Sequence, residues 1–348
     1  MPRKRNITQL KIEAKLFSSC HNLLDLQNKL RIPKNDILMN AMNVKYYRFK
    51  IRKSNGTFRE IEAPDLSLKH LQSKLNYYLQ AIYYLNQTKA SYGYIITPRN
   101  KKSNKNIVKN AAQHLGANYM LKVDFKNFFH QIKQKDILNI FKSKYFLFDT
   151  KTSNYLAKLS TYNNRLPMGS PVSPVLSNFY TIPLDTALYN WASKNNISYT
   201  RFVDDLTFSS KTTEFTQEHF NQINTICISH KLKLNTYKTK FYKENDIKIV
   251  TGLVLSDTVD IQPEFYKALD KNLQRLKAVS ETSFLMNNFQ KNEFLKKFKQ
   301  QVFGQINFIK TVEGHTSEIY KEYTQKYSFS KQVDVDKLSE NWLNFSYI

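Results

Sequence analysis

Apolar positions change their period several times along the chain, and each change marks an element or a break. Leu16, Leu23, Leu26 and Leu30 recur near helical spacing, and Ile32-Pro33 ends the run, since proline lacks the amide that a helix interior needs. Residues 1–45 are therefore predicted as an N-terminal helical extension. Between Tyr46 and Pro64 the pattern shortens to β-type runs flanking Ser54-Asn55-Gly56, which predicts a basic hairpin. Residues 66–85 are helical again, and residues 100–109 read as a polar, basic loop without a period. Two strand-like runs, 119–123 and 199–203, then lead straight into Asp124 and into Asp204-Asp205. Residues 247–255 read as a third strand. Apolar residues three and four apart over 174–191 and 220–230 predict helices between these strands, as in a mixed α/β sheet domain. After Pro263 the pattern is helical almost to the end, through Leu269, Leu276, Leu295, Val302 and Ile309. The expected divisions are 1–45, 46–118, 119–262 and 263–348.

Charge narrows the classes of partner. The 348 residues carry 53 Lys and Arg against 28 Asp and Glu, a formal charge of +25, so the expected partner is a polyanion. No run reaches the roughly 18 apolar residues of a membrane span, and Met1 to Arg5 is not followed by an apolar signal region. A cytoplasmic protein without membrane partners is expected. Cys20 and Cys227 are the only cysteines, too few for a disulfide framework or a paired-cysteine zinc site. Aromatics make up 14% of the chain and often alternate with cations, as in Tyr46-Tyr47-Arg48-Phe49-Lys50. Most such rings belong to cores, while exposed ones offer stacking surfaces to bases.

The candidate chemistry lies in the aspartates. Neighbouring strands would gather Asp124, Asp204 and Asp205, and three carboxylates so close raise one another's pKa unless cations offset them. Oxygen ligands suit Mg²⁺, and two ions about 3.5 to 4 Å apart stabilise both oxygens of an in-line phosphoryl displacement. An Asp-Asp pair alone is weak evidence, since a solvated strand end looks the same. Here it sits in an order: the basic hairpin, the isolated Asp124, Leu166-Pro167-Met168-Gly169-Ser170-Pro171, Arg201-Phe202-Val203-Asp204-Asp205, and Leu234-Asn235-Thr236-Tyr237-Lys238-Thr239-Lys240.

This order resembles the motif series of the group II intron and retron reverse transcriptases, over most of residues 45–310. Asn110-Ala111-Ala112-Gln113-His114 and Val250-Thr251-Gly252 are similar to two elements typical of the retron branch. The resemblance implies an α+β right-hand polymerase with fingers, palm and helical thumb. It implies an RNA-directed DNA polymerase with Asp124, Asp204 and Asp205 as catalytic metal ligands for two Mg²⁺ ions, and the carbonyl of Phe125 near the second ion. It further implies deoxynucleotide contacts by Arg59, by Arg52 or Lys53, by Met168 and Gly169, and by Phe129 as the residue that excludes a 2′-hydroxyl. Lys238 or Lys240 would sit near the departing pyrophosphate. Asn110, His114, Val250, Thr251 and Gly252 would contact RNA, and Lys296 and Lys297 are added as phosphate contacts on a basic helix. A structured noncoding RNA serving as both template and primer, priming from a 2′-hydroxyl, a host ribonuclease H, a separate effector protein and an antiphage role are implied too. The chain departs from the usual motifs, with Phe-Val-Asp-Asp for Tyr-Ala-Asp-Asp and Leu-Pro-Met-Gly for Leu-Pro-Gln-Gly. The rival readings are a group II intron or abortive-infection type polymerase using another primer, and a basic RNA-binding scaffold with a degenerate palm.

Overall fold

A computed structural model describes residues 5–52, 56–99, 105–286 and 289–331, with side chains over 282–292 left undescribed. Local signals set the first helices, α1 (Ile7–Ser18), α2 (Leu23–Leu30) and α3 (Lys34–Met42). Asn6 and Asn22 cap α1 and α2 in reciprocal boxes with Gln9 and Asp25, satisfying amides that the first turn leaves free. Arg31 leaves α2 at φ +52 and Pro33 starts α3, which is the break expected at Ile32-Pro33.

Strands β1 (Tyr46–Arg52) and β2 (Phe58–Pro64) form the expected antiparallel hairpin, pairing Tyr46 with Pro64 and Arg52 with Phe58. Helix α4 (Leu66–Asn86), capped by Asp65, buries Leu68, Leu71, Leu75 and Leu79 along one face. The stretch 100–109 is not all loop: Asn106 caps a short helix, α5 (Ile107–Ala112), by accepting from the Lys109 amide. Residues 100–104 lie outside the described residues.

Next come β3 (Tyr119–Asp124), α6 (Phe128–Gln131), α7 (Gln134–Phe141) and α8 (Thr150–Ser160). The helix expected over 174–191 is two, α9 (Ser173–Tyr180) and α10 (Ile182–Lys194). Pro183 lies in the first turn of α10, a position where its missing amide costs nothing. The sheet is completed by β4 (Ser198–Phe202), β5 (Asp205–Ser210) and β6 (Lys240–Tyr242), with α11 (Gln217–Ser229) and a 3-10 turn at Thr236–Lys238 between the last two. Its antiparallel order is β4-β5-β3-β6.

That order corrects the expectation that Asp204 and Asp205 both end a strand. Asp205 begins β5, whereas Val203 and Asp204 form the two-residue turn between β4 and β5. Leu121, Val123, Leu206 and Phe208 of the sheet are buried in a core shared with α4, α9 and α10.

Residues 5–247 of the described chain form one compact unit, and a second begins at Lys248. The single strand expected over 247–255 is a hairpin, β7 (Lys248–Val250) and β8 (Leu253–Leu255), followed by β9 (Val259–Ile261). Thr251 at φ +50 and Gly252 at φ +83 make the turn, a two-residue conformation that favours glycine. Helices α12 (Pro263–Met286), α13 (Phe289–Glu313) and α14 (Glu318–Ser330) complete this unit around Leu269, Leu276, Val302, Ile306 and Ile309. Among the described residues no helix is long and apolar enough to cross a membrane.

Candidate active site

Strand register brings the aspartates together. Asp124 of β3 pairs directly with Asp205 of β5, and the Phe125 amide donates to the Asp204 carbonyl at 3.1 Å. Asp204 sits on the tight turn at the head of the same sheet. Lys238 donates to Asp124 Oδ2 at 2.7 Å, and Lys122 Nζ lies 3.1 Å from Asp205 Oδ2. Burial, and then Asp124, push the Asp204 carboxyl up to about 6. Burial also raises Asp205, although Lys122 opposes the shift. Such carboxylates carry unbalanced negative charge that a hard divalent cation would relieve, and their oxygens suit Mg²⁺. Among the described residues no group of three or more Asp, Glu, His or Cys side chains is arranged to hold a metal ion by itself.

Asp124 and Asp204 line a cavity of about 460 Å³ whose walls also include Arg59, Phe129, Met168 and Lys238, whereas Asp205 is not among its lining residues. The hairpin β1–β2 supplies one wall through Arg59. It is fixed to the loop before α9, because the Glu62 amide donates to the Met168 carbonyl at 2.8 Å. Gly169 at φ +138 lies so close to β2 that a Cβ there would meet the Glu62 carbonyl oxygen at 2.5 Å. Only glycine tolerates both the conformation and the approach. Below, Arg165 forks onto Glu62 at 2.7 and 2.9 Å. Burial raises the Glu62 carboxyl, but the Arg165 bonds outweigh it and hold the group below its ordinary range.

Other sequence-predicted residues fall elsewhere. Of the paired alternatives, Lys238 lines the cavity, whereas Lys240 lies on β6 opposite Lys122. Arg52 ends β1, exposed and away from the cavity walls, and Lys53 lies outside the described residues. Asn110 and His114 are both 1% exposed, which leaves them no surface for direct contact with RNA. The His114 ring instead bridges the Ser209 and Thr200 hydroxyls at 2.7 Å each, and burial lowers its pKa to about 3. The neutral imidazole thus ties α5 to strands β4 and β5. Val250 is buried in the second unit, Thr251 and Gly252 form its hairpin turn, and Lys296 and Lys297 are exposed on α13, with Lys297 2.8 Å from Glu293.

Sequence reasoning missed the support behind the aspartates. Arg201 is fully buried, and its guanidinium forks onto Asp185 at 2.7 and 2.8 Å while donating to the Val203 carbonyl at 2.9 Å. Asn178 Oδ1 accepts from it at 3.2 Å, and Tyr199 and Thr88 donate to Asp185. Val203 needs this restraint: its φ of +62 is unusual for a β-branched residue and costs on the order of 1–3 kcal/mol. Gly93 faces the turn from outside, where a Cβ would lie 2.7 Å from Val203 Cγ2. The available signal was an arginine inside an apolar strand run, since a charge in such a place must find a partner.

The comparisons with known proteins come to the same region. Residues 51–255, more than half of the chain, match the family model described as reverse transcriptase (RNA-dependent DNA polymerase). The chain belongs to the reverse transcriptase family. Its fold class is the α+β right-hand polymerase. The chain is 31% identical over 176 residues to the retron Ec86 reverse transcriptase of Escherichia coli, covering 50% of this chain and 54% of that one. It is 29% identical over 225 residues to the retron Se72 reverse transcriptase of Salmonella heidelberg, covering 63% and 57%. The retron Ec83 reverse transcriptase of Escherichia coli is 25% identical over 249 residues, covering 67% and 77%. The chain thus spans a little over half the length of the first two relatives. The resemblance to the retron branch seen in the motifs recurs in these relatives.

Proposed function

We propose that this chain is an RNA-directed DNA polymerase of the retron type. The observation that carries the reading is the β3–β5 register, which sets Asp124 opposite Asp205 and beside Asp204 at the wall of a cavity lined by Arg59, Phe129, Met168 and Lys238. Asp124, Asp204, Asp205 and the Phe125 carbonyl are the groups that would hold two Mg²⁺ ions. Those ions would supply charge neutralisation for the attacking and leaving oxygens. In the reaction, a primer hydroxyl attacks the α-phosphorus of a deoxynucleoside triphosphate, forming the phosphodiester as the bond to the bridging oxygen breaks. Pyrophosphate leaves.

The chain's own residues have distinct tasks in this reading. Arg59 offers a charge-assisted donor to the triphosphate, and the Phe129 ring fills the space that a 2′-hydroxyl would need. Lys238 donates to Asp124, and in this reading it gives a proton to the departing pyrophosphate. Met168 presents a thioether in place of the usual amide and offers the nucleotide almost no hydrogen bond. Gly169 allows the hairpin wall its close approach to the loop before α9, while Asn110 and His114 support the sheet behind the aspartates. We assign residues 46–118 to fingers, 119–247 to palm and the second unit, which begins at Lys248, to thumb, with Thr251, Gly252, Lys296 and Lys297 as candidate RNA contacts.

The finer reading extends the retron resemblance. One structured noncoding RNA acts as template and primer, an internal 2′-hydroxyl starts the DNA, a host ribonuclease H trims the template, and an effector protein completes a phage-defence system. Sequencing the nucleic acid that copurifies with the protein tests it. A single RNA joined through a 2′,5′ linkage to DNA complementary to part of itself is expected. DNA extended from unrelated 3′ ends would overturn the priming assignment.

A further inference from the structure

Two elements border the aspartate cavity: β2, with Arg59 and Glu60, and α6, with Phe129 and His130. The α6 side is rooted in the sheet unit. Gln131 donates to the carbonyls of Lys126 and Lys233 at 2.6 and 3.1 Å, and the Leu166 amide donates to the Ile132 carbonyl at 3.0 Å. Toward the hairpin, α6 meets β2 through His130, whose Nε2 lies 3.6 Å from Oε2 of the buried Glu62.

That nitrogen is buried and meets no hydrogen-bond partner among the described residues, a condition that buried polar atoms rarely keep without a reason. Burial, and then Arg165, hold the imidazole below its ordinary range against the pull of Glu62, while Lys133 lowers it further and Glu60 raises it. The ring is therefore neutral at neutral pH and carries one N–H. Placed on Nε2, that N–H offers the carboxylate a donor; placed on Nδ1, it would set lone pair against lone pair. Glu62 Oε2 already accepts from Arg165 at 2.7 Å and has a second lone pair to give. An N–H···O bond needs about 3.2 Å or less, so a shift of about 0.4 Å between β2 and α6 completes it.

We propose that His130 is a positioning residue for the incoming nucleotide: it bonds to Glu62 as the triphosphate draws Arg59 inward, and so fixes the gap between Phe129 and the hairpin. The inference rests on the polymerase reading. Arg59 and Glu62 share the strand β2, so a pull on one moves the other toward the cavity that α6 also lines. Phe129 and His130 are neighbours in the single turn of α6, so the bond that holds one places the other. Groups that shape a site must be held within about 0.5 Å, and the His130–Glu62 bond acts at that scale. His130 takes no part in the exchange at phosphorus. Its effect falls on nucleotide affinity and on the choice of sugar.

The test is steady-state primer extension by the full chain, with His130→Phe and His130→Gln beside the wild type. His130→Phe keeps a ring and loses the donor, whereas His130→Gln supplies an amide N–H of similar reach. For His130→Phe the KM for deoxynucleotide should rise about tenfold, the scale of a lost bond to a charged group. Its kcat should stay within about twofold of the wild type, the mark of a binding effect. The preference for deoxynucleotide over ribonucleotide should fall in the same variant, and His130→Gln should restore both properties. An unchanged KM and sugar preference in folded His130→Phe overturns the proposal. So does equal impairment of the two variants, which would make the ring a packing group. A fall in kcat at unchanged KM overturns it as well, since His130 would then act on the chemical step. If His130→Phe melts early, His130→Asn, polar but one methylene shorter than Gln, carries the same expectation. A wild type that extends no primer fails the polymerase reading itself, whereas normal wild-type extension with any of the contrary outcomes fails the role of His130 alone.

Discussion

At Asp204 the fold holds a carboxyl where stability alone would not. In metal-free protein its pKa lies at about 6, against 3.8 for a free side chain. The folded state therefore keeps a proton that the unfolded state has lost between those values, and stability falls as pH rises through this window. Above pH 6 the ionised group costs up to about 3 kcal/mol. In a chelating buffer at pH 7.5, Asp204→Asn should thus melt higher than the wild type, and the gap should close as pH falls from 6 to 4. A variant that melts lower at pH 7.5 would contradict this environment for Asp204. Phe129 is half-buried at the cavity wall and packs against Phe128 with ring centroids 5.5 Å apart. Phe129→Ala should raise ribonucleotide incorporation relative to deoxynucleotide incorporation in a folded protein; an unchanged ratio would make the ring core only. The three aspartates were legible because each follows or interrupts a strand-like run. The surroundings of Asn110 and His114 were not, since a five-residue motif does not reveal burial, and only the tertiary fold sets His114 between Thr200 and Ser209.

The β4–β5 hairpin shows what sequence periodicity misses at the scale of elements. Residues 199–203 read as a strand, one residue beyond the end of β4, and β5 was not anticipated. Asp205-Leu206-Thr207-Phe208-Ser209-Ser210 places buried polar residues on the face opposite its apolar ones, so alternation does not distinguish a core from a solvent side. The hairpin over 248–255 was hidden for another reason, because its two-residue turn lies within an apolar stretch. Long-range helices were more legible: α4, α11 and α12 carry apolar stripes that outlast local exceptions. The turn at Val203-Asp204 depends on Arg201 and Asp185, a pair buried at 0% exposure on both sides. Arg201→Ala should destabilise the protein by about 3–5 kcal/mol, because it strands the Asp185 charge. An Arg201→Met/Asp185→Leu double variant should recover much of that loss in urea unfolding, since buried pairs often exchange for apolar groups at little cost. Polymerase activity should stay low, as the Val203 carbonyl has lost its donor. Full activity in the stable double variant would show that the network supports folding without positioning Asp204.

Charge acts across the whole molecule. A formal charge of +25 implies that RNA binding releases many counterions, and 6–10 phosphate contacts would cost about 10³- to 10⁵-fold in affinity between 50 and 200 mM salt. A nearly flat titration would mean that the lysines serve other ends. Architecture at this scale was legible in outline, as helices, a hairpin, a sheet interspersed with helices, and further helices in chain order. The compact units divide at Lys248, earlier than the expected start of the last division at 263, because β7–β9 belong with α12–α14 and no composition shift marks that boundary. The proposed function requires Asp124, Asp204 and Asp205 to form one centre for nucleotide transfer. The most direct measurement is primer extension by the purified chain on an annealed RNA template, with deoxynucleotides and Mg²⁺, beside an Asp204→Asn variant whose folding and RNA affinity are checked in parallel. Template-directed DNA synthesis by the wild type and less than about a hundredth of it by the variant, the scale of losing a group that acts on the transition state, is the expected result. Extension by the folded variant at more than a tenth of the wild-type rate would contradict the assignment.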